Sequence, residues 1–140
     1  TKIFGKLFKL QLIKKTYLAL CDGKPKMNES YVDLLLHDKK KDKNQTKTFY
    51  KILSNKQRTS LIQFEPKTGK KHQLRIVAKN LGSPIVGDSK YNLNQSNKNE
   101  NLKLNAHKLE FKIDGNQFNF KSDLPNDFTN YMKQKQISFR

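Results

Sequence analysis

The run Glu65-Pro66-Lys67-Thr68-Gly69-Lys70-Lys71-His72-Gln73-Leu74-Arg75 packs a turn, paired lysines, an imidazole, an amide and a guanidinium into eleven residues. A turn at Pro66 to Gly69, followed by Lys70 and Lys71 at a helix start, would aim backbone N–H groups and two ammonium groups at a phosphate. An exposed basic turn with no ligand fits the same spacing equally well. Arg75 is more telling. The chain has 26 Lys but only three Arg (Arg58, Arg75, Arg140), beside 14 Asn, the usage of an AT-rich genome that drifts toward lysine. An arginine kept against that drift marks a place where a planar fork is needed to grip a carboxylate or phosphate through two hydrogen bonds. A surface charge or a single phosphate contact is the plainer alternative. Tyr17, flanked by Lys14 and Lys15, joins this constellation, although a core or surface tyrosine on a strand fits the same spacing.

Other chemistries fail on spacing. Gly69-Lys70 invites comparison with a nucleotide-binding P-loop, but the glycine required five positions before Gly69 is Phe64, and Lys71 stands where Ser or Thr is needed. His37, His72 and His107 are too far apart to pair on one element, and Cys21 is the only cysteine, so no metal site is expected. No serine sits in a nucleophile-elbow pattern.

Charge sets the partner class. With 29 Lys and Arg against 12 Asp and Glu, the 140 residues carry +17, and a polyanion is the expected partner. The lysines run the length of the chain between strand-like segments, not along one amphipathic helix, which favours nucleic acid over a membrane surface. No stretch approaches the roughly 20 apolar residues of a membrane span, and the lone cysteine fits a reducing, cytoplasmic compartment. The length suits one domain or part of one.

The elements that must position these residues read as follows. Residues 1 to 12 place Phe4, Leu7 and Phe8 at helical spacing. Strands are expected at Ile13 to Cys21, Tyr31 to Leu36, Thr48 to Leu53 and Ser60 to Phe64, with a solvated loop from His37 to Lys47. Leu74, Val77, Ala78 and Leu81 form an apolar stripe that predicts a short helix, about His72 to Leu81, closed by Gly82 in a left-handed cap. Arg75 and Lys79 fall on its flank. Asn92 to Asn101 reads as a flexible polar loop. A hairpin through Asp114-Gly115-Asn116 joins strands at Ala106 to Ile113 and Gln117 to Lys121, and a helix from Asn126 to Lys135 follows. The class is α+β, a mixed, mainly antiparallel sheet flanked by short helices.

The run from Glu65 to Arg75, continued by Leu81-Gly82-Ser83-Pro84-Ile85-Val86-Gly87-Asp88 and Tyr91, resembles the RluA-type family of RNA pseudouridine synthases. Lys15-Thr16-Tyr17-Leu18-Ala19-Leu20 is similar to that family's tyrosine motif, and Ala106-His107-Lys108-Leu109 and Leu124-Pro125-Asn126-Asp127-Phe128 resemble its C-terminal segments. The resemblance implies a cofactor-free isomerisation in which a uridine of ribosomal RNA is detached at its glycosidic bond, rotated and rejoined through carbon. It gives Tyr17 the role of stacking on the flipped base and assisting proton removal, and Arg75 that of holding a nucleophilic aspartate ionised. Lys15, Lys70, Lys71, His72, Gln73 and Leu74 become substrate-binding candidates, although core packing accounts for Leu74 as well.

The family's aspartate lies in a His-Arg-Leu-Asp motif N-terminal to the tyrosine motif. None of Asp22, Asp33, Asp38, Asp42 or Asp88 has that context. The expectation is therefore the C-terminal portion of a catalytic domain, inactive by itself, whose apolar face is covered by the N-terminal portion or by self-association. A basic RNA-binding module that keeps the fold without catalysis is the alternative. Lys71, Ser83 and Asn105 depart from the family pattern, which puts the RNA target in doubt more than the reaction.

Overall fold

The structure, a computed structural model, describes residues 13–37, 43–94 and 99–138. Six strands, β1 (Lys14–Asp22), β2 (Glu29–His37), β3 (Lys43–Lys56), β4 (Thr59–Pro66), β5 (Leu104–Ile113) and β6 (Asn116–Lys121), form one sheet in the order β2-β3-β4-β1-β5-β6. Every strand pair is antiparallel. Two helices accompany it, α1 (Gln73–Asn80) and α2 (Asn126–Gln134). No described helix is long and apolar enough to cross a membrane.

β1 is central because its residues are apolar on both sides, as a strand covered on two faces must be. Ala19 and Cys21 join Ile62, Phe64, Leu74, Val77, Ala78 and Ile85 in the core beneath α1. Leu18 and Leu20 face the other way, onto Leu61, Val86, Phe128, Tyr131 and Met132 beneath α2. Each large side chain removed from water contributes roughly 1.5–3 kcal/mol, and β1 supplies such groups to both cores. Burial, with Asp22 alongside, pushes the Cys21 thiol well above its ordinary pKa, so it stays a neutral apolar group.

The stripe expected on the first helix is where α1 buries: Leu74, Val77 and Ala78 are in the core and Leu81 packs against it. The helix stops in a Schellman arrangement. Gly82 takes φ +78°, its N–H donates to the Lys79 carbonyl, and Ser83 N–H donates to that of Ala78.

The loop expected from His37 to Lys47 is a correction. β2 runs through His37 and β3 begins at Lys43. Composition misled here because the strand alternates polar residues: Gln45 and Lys47 are exposed whereas Thr46 and Thr48 are buried. The Thr46 hydroxyl donates to the Leu34 carbonyl at 2.9 Å, so a threonine stands where an aliphatic would be expected. The helical spacing in residues 1 to 12 lies outside the described residues. Of the loop expected from Asn92 to Asn101, residues 95–98 also lie outside, but its start is pinned. Asn92 Nδ2 donates to Asp22 Oδ2 (2.7 Å) and to the Ile85 carbonyl (3.0 Å).

After α1 the chain passes between β1 and the strand-like approach to β5. Asp22 N–H donates to Pro84 O, Val86 N–H to Leu20 O, Lys103 N–H to Val86 O, and Leu20 N–H to Lys103 O. Gly87 lies in this gap with φ +82°, and a Cβ there would collide with the backbone carbonyl of Asn101. A Cβ at Gly82, also at positive φ, meets nothing. Gly82→Ala should therefore cost about 1 kcal/mol, the left-handed penalty alone. Gly87→Ala should cost about 3 kcal/mol or more because the strand-like segment must also shift. Urea unfolding of the two variants measures the difference.

Candidate active site

α1 is mounted through Gln73. This side chain is buried, and its amide is fully engaged: Oε1 accepts from Thr68 Oγ1 (2.8 Å) and Lys70 N–H (3.1 Å), while Nε2 donates to Thr48 Oγ1 (2.9 Å) and Lys47 O (3.3 Å). One amide thus ties the turn before α1 to the middle of β3, satisfying groups that would be costly to bury unpaired. Lys67 N–H donates to Lys47 O at 2.8 Å and closes the same junction. His72, the N-cap, is left-handed at φ 56°, an unusual conformation for a residue with a Cβ.

From this mount Arg75 reaches Asp88. Nε donates to Asp88 Oδ2 at 2.9 Å and Nη2 to Oδ1 at 2.7 Å, a bidentate pair of the kind only arginine makes. The Asp88 side chain is fully buried and that of Arg75 is 18% exposed. The N–H groups of Lys90 (3.0 Å) and Tyr91 (3.1 Å) also donate to Oδ1, so the carboxylate has four donors. Burial pushes its pKa up, but Arg75 and the two backbone donors outweigh that and leave it below the ordinary value. The same hydrogen bond raises Arg75 above its own. With Nε and Nη2 engaged, the guanidinium edge carrying Nη1 remains, and no second acceptor among the described residues bonds it.

Tyr91 completes the mount. Its ring lies 5.3 Å from the Arg75 guanidinium carbon, 5.4 Å from Lys90 Nζ and 6.0 Å from Lys79 Nζ, within cation–π range. Its hydroxyl is 3.4 Å from His72 Nδ1. Burial first, then the cations Arg75, Lys90 and Lys71, hold His72 below the usual imidazole range despite Asp88.

The other candidates fall in two groups. Leu74 is in the core beneath α1, and Tyr17, half-buried opposite Phe64 and Ala106, packs against the same core from β1. Lys15 is half-buried on β1, and burial lowers its pKa; Lys70 and Lys71 are exposed at the turn. The structure thus gathers His72 and Arg75 around Asp88 and Tyr91 and places Tyr17 on the α1 face of the sheet. Gln73 it assigns to the mount. Asp88, Tyr91, Thr68 and Thr48 were missed as members of this arrangement. No spacing in the sequence pairs Asp88 with Arg75, 13 residues earlier. Among the described residues no three His, Cys, Asp or Glu converge as a metal site.

The chain and its fold match known proteins. The family model for RNA pseudouridylate synthase matches residues 1–80. A Haemophilus influenzae protein called an uncharacterized RNA pseudouridine synthase is 40% identical over 119 residues, covering 77% of this chain and 51% of its own. The Borreliella burgdorferi ribosomal large subunit pseudouridine synthase D is 33% identical, covering 98% of this chain and 47% of its own. The fold of human RNA pseudouridylate synthase domain containing 4 superposes with a TM-score of 0.88 at 21% identity, over 99% of this chain and 68% of that one. The chain belongs to the RNA pseudouridylate synthase family, and it spans about half the length of these curated relatives.

Asp88→Asn should destabilise the fold by about 3 kcal/mol, because it leaves Arg75 largely buried without its counter-charge. The depressed pKa sets the pH dependence. Asp88's contribution is fully present above the unfolded carboxylate value of about 3.9 and is lost as pH falls through the lower folded value. Unfolding free energies measured from pH 7 to pH 2 should fall less steeply below pH 4 for the variant than for the wild type.

Proposed function

We propose that this chain supplies one wall of the catalytic site of an RNA pseudouridine synthase that converts uridine to pseudouridine in large-subunit ribosomal RNA in the cytoplasm. The observation that carries the reading is the Arg75 guanidinium, fixed by buried Asp88 along one edge with its Nη1 edge left over. A guanidinium so held is pre-aimed at a second carboxylate and would keep it ionised and nucleophilic. Asp88 itself is unsuited to attack: its oxygens are buried beneath four donors. Asp22 is bound to Asn92. In our reading the nucleophile comes from outside these 140 residues.

The target uridine must leave its stack to be handled. Tyr17 would then face the base, on the side of the sheet that carries α1, and its phenol would take part in removing the proton from the carbon at which the base is rejoined. The glycosidic bond to nitrogen breaks, a bond to carbon forms, and the displaced proton ends on the nitrogen, so the product is an isomer and no redox cofactor is needed. The basic side chains Lys15, Lys70 and Lys71 would meet RNA phosphates, and the charge of +17 supports an RNA partner.

The chain by itself should bind RNA with strong salt dependence and form no pseudouridine, measured by filter binding and by mass spectrometry of digested RNA. Turnover by the chain alone would overturn the placing of the nucleophile. In a complete enzyme, Arg75→Lys should lower the single-turnover rate about 100-fold while changing RNA affinity less than about 3-fold, since charge is kept and the fork is lost. Equal losses in both would mark Arg75 as a phosphate contact.

A further inference from the structure

Arg58 is the second arginine kept in a lysine-rich chain, and the Tyr17–Arg75 wall makes no use of it. It lies in the two-residue turn between β3 and β4, where Gln57 and Arg58 have φ 52° and 59°. Such a turn favours Asn and Gly, so the arginine is held there against backbone preference. The turn borders a cleft of about 580 Å³ at the far end of α1 from His72, whose wall includes Asp22, Lys24, Lys56, Arg58, Asn92 and Asn94. The wall is built in advance. Gly23 N–H donates to Arg58 O at 2.6 Å, stitching the β1–β2 connection to the turn. Asn92 and Asn94 both donate to Asp22 Oδ2, at 2.7 and 3.3 Å, which fixes the one acidic group.

Three cations stand around this cleft, all exposed, and among the described residues Lys24, Lys56 and Arg58 form no ion pair. Gly23, Gly82 and Pro84, also in the lining, offer little but backbone and ring carbon. Three cations against one acidic group in a single cleft suit a phosphate joined to a flat or sugar body. The eight residues of α1 separate the cleft from the Arg75 end by about 12 Å, the reach of a few nucleotides of extended strand.

We infer that this cleft is a second RNA subsite, holding a nucleotide of the substrate strand a few positions from the target, its phosphate on Arg58, Lys56 and Lys24. The inference rests on the proposed RNA substrate and adds to it a place where flanking sequence is gripped. An RNA so bound is anchored at both ends of α1, which fixes the strand's register over Tyr17.

The test uses the full chain and a fluorescein-labelled single-stranded 15-nucleotide RNA carrying 4-thiouridine. Arg58→Gly removes the guanidinium while relaxing the turn, so the variant should fold at least as stably as the wild type. Its affinity should fall about 10-fold and the slope of log K against log salt should become shallower by about 0.7, one phosphate's worth for a single strand. Arg58→Lys, which keeps the charge and loses the fork, should restore the salt slope but only part of the affinity, and photo-crosslinks in the wild type should map to residues 22–24, 55–60 or 92–94. If Arg58→Gly binds RNA as the wild type does, or if crosslinks fall only elsewhere, the subsite is overturned while the RNA reading stands. If the wild type binds no RNA even at low salt, the reading of the substrate fails and the subsite with it.

Discussion

The pair between Arg75 and Asp88 is the constraint around which this half of the molecule is arranged. Taking a carboxylate and a guanidinium out of water is expensive, and their attraction offsets the loss only if geometry is good and the remaining hydrogen-bonding positions are filled. That requirement reaches outward. The N–H groups of Lys90 and Tyr91 must turn back onto Asp88, Gly87 must pass beneath the Asn101 carbonyl, and residues 84 to 86 must lie along the end of β1. The guanidinium is held by contacts whose own supports extend to the centre of the sheet.

α1 has eight residues, too short to be stable alone in water. Its identity comes from what holds each end and from the apolar stripe between. At the N-terminus a buried glutamine bridges turn and strand without any charge; at the C-terminus a glycine permits two carbonyls to be capped. Arg75 sits in the first turn of a helix fixed in this manner, so small changes far from it, at Thr48 or Gly82, bear on where its guanidinium points.

Much of this was legible in the sequence, and the failures have physical causes. The apolar stripe of α1, its closing glycine and the Asp-Gly-Asn hairpin have local signatures, and each element stands within a few residues of its expected bounds. The extension of β3 back to Lys43 was hidden because Thr46 and Thr48 bury hydroxyl-bearing side chains where the pattern looks for aliphatics. Arg75 stood out by composition and by family resemblance. Its partner did not, since a carboxylate saturated by arginine and backbone N–H groups looks in sequence like any other aspartate. Nothing local in the sequence tells a Gln73 that meets RNA from one whose amide is consumed by four neighbours in the fold.

β1 lies between β4 and β5, although it precedes both in the chain. Tyr17 is paired with Phe64 and Ala106, loops of roughly 50 and roughly 90 residues whose closure entropy must be met before the contacts form. The β2–β3–β4 meander needs only neighbouring turns. Folding should then proceed from local hairpins to a late insertion of β1, and the tyrosine would reach its place only when the sheet closes. Partly folded forms, however rich in strand, would carry the basic surface but would lack the seated ring. The order of assembly thereby makes the tyrosine's position the last part of the sheet to be set, after the basic surface is already in place.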